Sequence, residues 1–371
     1  MATTRREFFA RAALGSALAG ATLPAADAIA RQAVRAGIDR SPLKIETRST
    51  AILLSPEVKA QLARLQMRQA TWEAGCLMTY EDHGPQGEKD VFPRLALARS
   101  AVWRGSREHG NYQHHCQLAK FKGRIYLAWS NGCVDEEAPG QQILIASSAD
   151  GAGWTPPEPV LPRQEKEHLV HNCVGLLGTA DELLLYSWTE VAFRRAGVVG
   201  MHRIEPATSR VDLYASRDGK KWALRTPRPV LPGSSHAAMF EAPRPLADGT
   251  FLCGGSQSGP AVFRWKAGRL TEPPEVVRVP PARDASFPYG EATWCQSRDG
   301  LLVMFWRDES QSCRLFVNFS SDNGRTWSAP IITDIPNSMQ RVYAGALPDG
   351  RAYLLSDANP RLLDRPRQGA R

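Results

Sequence analysis

Three short turns of one design punctuate the chain. Ser148-Ala149-Asp150-Gly151-Ala152-Gly153-Trp154 and Ser216-Arg217-Asp218-Gly219-Lys220-Lys221-Trp222 share the spacing Ser-x-Asp-Gly-x-x-Trp; Ser320-Ser321-Asp322-Asn323-Gly324-Arg325-Thr326-Trp327 is a longer version. The Ser hydroxyl and Asp carboxylate bond the turn's own backbone, and Gly supplies a position with φ > 0. Trp covers the turn with a large apolar ring. Each copy follows an apolar, strand-like run: Gln142–Ala146, Val211–Ala215 and Arg314–Phe319. Three copies describe a repeated β unit that cannot bury its faces alone and must stack on its neighbours. The closed solution is an all-β fold, a β-propeller.

The units can be followed along the chain. His114–Lys120, Ile125–Ser130 and Gln142–Ala146 read as strands of one blade, joined by a Lys122–Arg124 turn and a loop carrying Asp135, Glu136 and Glu137. That loop is expected to be a solvated acidic face, with calcium binding as the alternative. A second blade runs from Asn172 through Glu182–Thr189 and Gly200–Ile204 to the second turn. A third begins at His236 and includes Phe251–Gly254 and Ala261–Trp265. A fourth opens at Glu291 and includes Leu301–Trp306. A last unit opens at Val342 and includes Ala352–Leu355. Asp-Gly turns at 248–249, 299–300 and 349–350 mark hairpins.

The first thirty residues read as an export signal: paired arginines Arg5-Arg6, a mildly apolar Ala12–Leu23, and small residues at Ala28-Ile29-Ala30. This order is that of a twin-arginine signal and predicts periplasmic or secreted localisation, with the export machinery as partner. Residues 31–70 read as a basic connector with a short helix over Pro56–Ala70, and further strands are expected near Gly75–Tyr80 and Arg94–Val102. The propeller domain is assigned to residues 71–360. The tail, 361–371, is charged and unlike a strand, so the ring is expected to be incomplete at that end.

A net charge of +8 is scattered over loops, signal and tail. It favours an anionic substrate, while the lack of interleaved basic and aromatic residues argues against nucleic acid. No second apolar run is long enough to span a bilayer. The seven cysteines show no metal-finger spacing and define no disulfide pairing. No cofactor motif is present, and the histidines show no chelate spacing that would define a metal site.

The three turns resemble the Asp-boxes of bacterial neuraminidase (BNR) repeats, and the chain looks like the sialidase superfamily of propellers. The run HHCQLAKFKGRIYLAWSNG is similar to propeller hydrolases and lyases of acidic polysaccharides. The resemblance implies a six-bladed propeller with ligands at the central channel, on the face where innermost strands begin. His114 and His115 open such a strand. Strict alternation lets only one of them face the channel, acting as acid or base or as a packed histidine. His171 and His236 begin the next two blades in similar places and are assigned to substrate binding with His114. Glu291 in YGEATW, Arg307 in MFWRDES and Arg341 in MQRVYAG lie as a sialidase's glutamate and carboxylate-binding arginines would; the other reading of the arginines is surface ion pairs. Tyr343 shares a strand face with Arg341 and is either a phenolic nucleophile or a packing residue. The implied function is an exported glycoside hydrolase cleaving beside an acidic sugar, with Glu291, His115 and Tyr343 catalytic. Alternatives are a uronic acid polysaccharide lyase and a non-catalytic glycan-binding propeller.

Overall fold

A computed structural model describes residues 100–356, apart from 134, 194–202, 226–237, 258, 282–290, 298–299, 308–313, 338–339 and 349. The expected signal, connector helix and charged tail lie outside the described residues, as does His236. Of the strand expected at Arg94–Val102, residues 100–102 are irregular.

The described residues fall into two compact units, 100–279 with 291–293, and 280–281 with 294–356. The first unit holds three antiparallel sheets. One is β1 (Tyr112–Phe121), β2 (Arg124–Gly132), β3 (Gln142–Ser148) and β4 (Glu158–Leu161), hydrogen-bonded in chain order. The next is β5 (Leu169–Gly178), β6 (Leu183–Phe193), β8 (Arg210–Ser216) and β9 (Ala223–Leu224), with β7 (Arg203–Ile204) paired to the end of β6. The third is β10 (Ala238–Met239), β12 (Phe251–Ser256), β13 (Pro260–Trp265) and β14 (Glu275–Arg278), with β11 (Arg244–Pro245) beside β12. The second unit contains most of a fourth sheet, β15 (Ala292–Gln296), β16 (Leu302–Trp306), β17 (Arg314–Ser320) and β18 (Ile331–Pro336), and a hairpin of β19 (Tyr343–Ala346) and β20 (Ala352–Leu355). Consecutive four-stranded meanders are the blades the repeated turns call for. The strands expected within 114–146, 182–189, 211–215, 251–265, 301–306, 314–319 and 352–355 form, Gly200–Ile204 is described only at Arg203–Ile204, and Gly75–Tyr80 lies outside the described residues. The short outer strands β4, β9 and β14 carry no strong sequence signal, because two to four half-exposed residues give no readable period.

Burial explains the composition of the inner strands. In β6, LLLYSWTEVAF, nearly every side chain is buried because both sheet faces are covered. Phe121, Ile143, Ile145, Leu183 and Leu185 form one core cluster, and Tyr186, Leu213, Phe263 and Trp265 belong to a second. In the other unit Val303, Val317, Phe319 and Ala344 do the same. Among the described residues no helix is long and apolar enough to cross a membrane. Cys116, Cys133, Cys173, Cys253 and Cys295 are free thiols.

The repeated turns are built as the sequence predicts. Ser148 Oγ accepts the Gly151 amide at 2.8 Å, Asp150 Oδ1 accepts those of Ala152 and Gly153 at 2.9 and 3.1 Å, and the Trp154 indole donates to Gly151 O at 3.1 Å. The other two copies repeat the serine and aspartate bonds; Trp327 donates to Gly324 O at 3.1 Å, whereas the Trp222 indole nitrogen is buried without a partner. Amide donation from Lys221 and Lys220 holds the Asp218 carboxyl down at about 2. Gly219 has φ 74°, and a Cβ there would stand 2.5 Å from the Tyr126 ring, so this position excludes any side chain on two counts. Ser320 is buried and its Oγ accepts Gly324 N at 2.9 Å while donating to Asp322 at 2.8 Å. Ser320→Ala is expected to leave that buried amide unpaired and to cost about 1–3 kcal/mol in a urea titration. A change within 0.3 kcal/mol would show the turn to be ornamental.

Candidate functional site

Antiparallel register decides which residues share an end of the first sheet. Tyr112 of β1 lies opposite Gly132, and Asn131 lies opposite Gln142, whereas Ser148 pairs with Ile125 at the other end. The β2–β3 loop with its acidic residues therefore sits beside the start of β1, and the Ser-Asp-Trp turn sits at the far end. The start of β5 is laced to this loop through Gly140 N to Leu169 O at 2.8 Å and His171 N to Gln141 O at 3.1 Å. Candidate chemistry and structural turns occupy opposite rims of the sheet, as expected.

The alternation expected for His114 and His115 does not hold. Pairing of β1 with β2 shifts register between His114 and Gln117, and His115 sits at φ 53° in the left-handed region. A bulge of this kind re-aims a side chain. Both imidazoles come to one side, stacked with centroids 3.9 Å apart and planes 27° apart. Both also meet one carboxylate oxygen: Glu136 Oε1 lies 2.7 Å from His114 Nδ1 and 3.3 Å from His115 Nε2. Backbone strain at a position held by several contacts is where function concentrates. Glu137, the next residue, is likewise left-handed at φ 58°.

The hydrogen-bond pattern assigns protons. His115 Nε2 faces a carboxylate and so carries hydrogen, and its Nδ1 is hydrogen-bonded with Ser130 Oγ at 3.3 Å. Ser130 is fully buried and accepts the Cys173 amide at 2.9 Å, which fixes it. The Tyr112 hydroxyl lies 3.3 Å from His114 Nδ1, near enough to Glu136 to feel its charge. Burial raises the Glu136 pKa, but hydrogen bonds and charge from His114 and His115 outweigh it and hold the group well below the ordinary range. Tyr112 is pushed up to about 12 by burial and then by the Glu136 charge. Glu137 is pushed up to about 7 by burial and by the negative charge of Glu136, with Glu291 adding to it and His114 opposing. The acidic loop is thus half-buried and ion-paired, not the solvated face its composition suggests.

A second buried layer adjoins this one. Glu190 on β6 is 0% exposed with neither oxygen hydrogen-bonded, and burial followed by the Glu137 charge raises it to about 8. His171 is buried, its Nδ1 3.2 Å from Thr189 Oγ1 and its Nε2 without a partner. Burial, then the Arg210 charge, lowers it to about 4, so it is neutral at pH 7. Gln141 Nε2 donates to Asn172 Oδ1 at 2.6 Å. Elsewhere in this unit Glu241 accepts from Arg244 and Thr293, both at 3.1 Å.

Of the residues assigned from sequence, His114, His115, His171 and Glu291 belong to the first unit, and His114 and His115 meet in one cluster. Glu291 acts on it through its charge on Glu137. Arg307, Arg341 and Tyr343 belong to the other unit: the two arginines are half-buried, and Tyr343 is 43% exposed on β19. Tyr112, Glu136, Glu137 and Glu190 were not assigned chemistry from sequence. For Glu190 a signal existed, since one carboxylate interrupts an eleven-residue apolar strand.

The BNR repeat-like domain model matches residues 123–367, well over half of the 371-residue chain. No curated protein matches the chain. A solved structure from Dyadobacter fermentans, described as of unknown function, is similar at 19% identity and TM-score 0.53, covering 68% of this chain and 76% of that one. A mutant of the NanB sialidase of Streptococcus pneumoniae is similar at 13% identity and TM-score 0.50, covering 70% of this chain and 58% of that one. The chain thus spans a little over half the length of that sialidase, and the likeness is one of fold. With its repeated turns and its meander sheets, the chain belongs to the BNR repeat-like domain family and has a β-propeller fold.

Proposed function

We propose that this chain is an exported glycoside hydrolase that cleaves a glycosidic bond beside an acidic sugar. The observation that carries the reading is the Tyr112 phenol, 3.3 Å from His114 Nδ1 and beside the Glu136 carboxylate that His114 and His115 orient. Sugar cleavage runs through an oxocarbenium-like transition state, and some glycosidases use a tyrosine as nucleophile. Here the Tyr112 oxygen attacks the anomeric carbon as its proton passes to Glu136, and the bond to the leaving oxygen breaks. Glu137, whose raised pKa of about 7 keeps part of it protonated at neutral pH, supplies that oxygen's proton. Water then releases the sugar from Tyr112: Glu137, left ionised by the first step, takes a proton from the water as the proton on Glu136 returns to the phenol oxygen. His114 and His115 keep Glu136 ionised and aimed, and a carboxylate so held accepts a proton only when the phenol's charge develops. Tyr112 is preferred to the exposed Tyr343 because it stands beside a carboxylate on a half-buried strand end. The assignment of Arg307 and Arg341 to a substrate carboxylate rests on their place in the sequence, and both belong to the other unit. Export is read from the amino-terminal sequence, and the positive net charge suits an anionic substrate.

The test is product release from sialosides and uronic acid polysaccharides, with reducing ends and the absorbance of unsaturated uronate followed in parallel. New reducing ends without absorbance are expected. Absorbance rising with them would make the chain a lyase, and silence from folded protein would make it a binding propeller.

A further inference from the structure

We infer that the bulged start of β1 is also a binding site for one divalent cation of the zinc class, held by His114, His115 and Glu136. One ligand atom from each of the three residues lies within 4.8 Å of the others. Four-coordinate zinc with bonds near 2.0–2.1 Å places neighbouring ligand atoms about 3.3 Å apart. The distances from Glu136 Oε1 to His115 Nε2 and His114 Nδ1, 3.3 and 2.7 Å, are at that edge and about 0.6 Å under it, so side-chain shifts alone let an ion replace the two hydrogens. Two imidazoles and a carboxylate are a donor set for zinc, not for calcium or magnesium, which take oxygen.

Two further features favour an ion. Metal-bound histidines have their second nitrogen held by an outer partner, and Ser130, itself pinned by the Cys173 amide, holds His115 Nδ1. The left-handed φ of His115 is what brings adjacent imidazoles to one side, a geometry that straight strand pairing would not give. The stacked rings must open for one ion to lie in both ring planes. His115 is 8% exposed and fixed, whereas His114 is 39% exposed and has room to turn. Exposure of His114 and Glu136 leaves a fourth coordination position open to water, as in sites with three protein ligands.

The inference shares its residues with the proposed hydrolase site but does not depend on it. A cation on Glu136 removes the carboxylate from proton transfer, so zinc is expected to bind and to inhibit. Binding is measured on the untagged full chain by calorimetry with Zn2+ and by the visible spectrum of Co2+. One ion per chain is expected, with a tetrahedral Co2+ spectrum. Glu136→Gln and His115→Ala are expected to lose this site, and His109→Ala, an exposed histidine outside the cluster, to retain it. Glu136 lies on a loop, so its variant tests the inference even if His115→Ala fails to fold. Absence of stoichiometric binding, or binding unchanged in folded Glu136→Gln, overturns the site. Activation by zinc together with binding at the cluster would keep the site and overturn the proton-transfer role of Glu136.

Discussion

Glu136→Gln is expected to lower kcat on an acidic glycoside by about 10²–10⁴-fold, the usual worth of a positioned proton acceptor. The amide keeps an oxygen for His114 and His115 to bond, so the cluster survives while its capacity to take the Tyr112 proton is lost. KM should change little, because the interaction removed is one made in the transition state. Tyr112→Phe should lose a similar factor, and the double variant should lose no more than the worse single one, since the two act as a unit. Activity within a few-fold of wild type in folded Glu136→Gln would remove Tyr112–Glu136 from the chemistry and return attention to Glu291 and Tyr343.

Glu190→Gln is expected to stabilise the protein by about 2–4 kcal/mol at pH 9 and to leave it nearly unchanged at pH 5. The reason is burial without a hydrogen-bond partner, which raises the carboxyl from 4.5 to about 8 in the folded chain. The fold prefers the protonated form, so this group's contribution is fully present below pH about 4.5 and is lost as pH rises to about 8. The glutamine amide mimics the neutral carboxyl and cannot ionise, so it escapes that loss. His171 has the opposite sign: the fold prefers its neutral form, so stability is present above pH about 6.5 and is lost as pH falls through about 4. The two slopes oppose each other between pH 4.5 and 6.5, and Glu190 governs between 6.5 and 8. Chemical denaturation of both proteins across this range reads the difference directly. A wild-type stability that does not fall from pH 6.5 to 8, or a variant with the same slope, would mean that Glu190 is ionised and partnered in the folded chain.

The same orphaned carboxyl marks the limit of what sequence periodicity reveals. Most of the fold was legible, because three copies of one turn and long β-branched runs agree at every level: local turn bonds, strand pattern and core. The short outer strands were not legible, since so few residues carry no period. For the site, the sequence singles out the histidines at the start of β1, but the way they project differs from the alternation it implies. Alternation is a rule for regular pleats, and a one-residue bulge suspends it for His114 and His115. The acidic loop looked solvated because composition alone does not show that two histidines and a tyrosine close over Glu136. Glu190 was hidden in a strand that reads as core, and its importance appears only when its oxygens are found without partners.

The central claim is that a phenol oxygen at the start of β1 bonds to the sugar. It is tested most directly by trapping. A fluorinated acidic glycosyl fluoride, whose electron-withdrawing substituent slows breakdown of the intermediate more than its formation, is incubated with the full chain, and the digested protein is weighed by mass spectrometry. A sugar adduct on the peptide containing Tyr112, absent from Tyr112→Phe, is the predicted result. An adduct on Tyr343 or on a carboxylate, or steady turnover of the probe with no adduct at all, would contradict it.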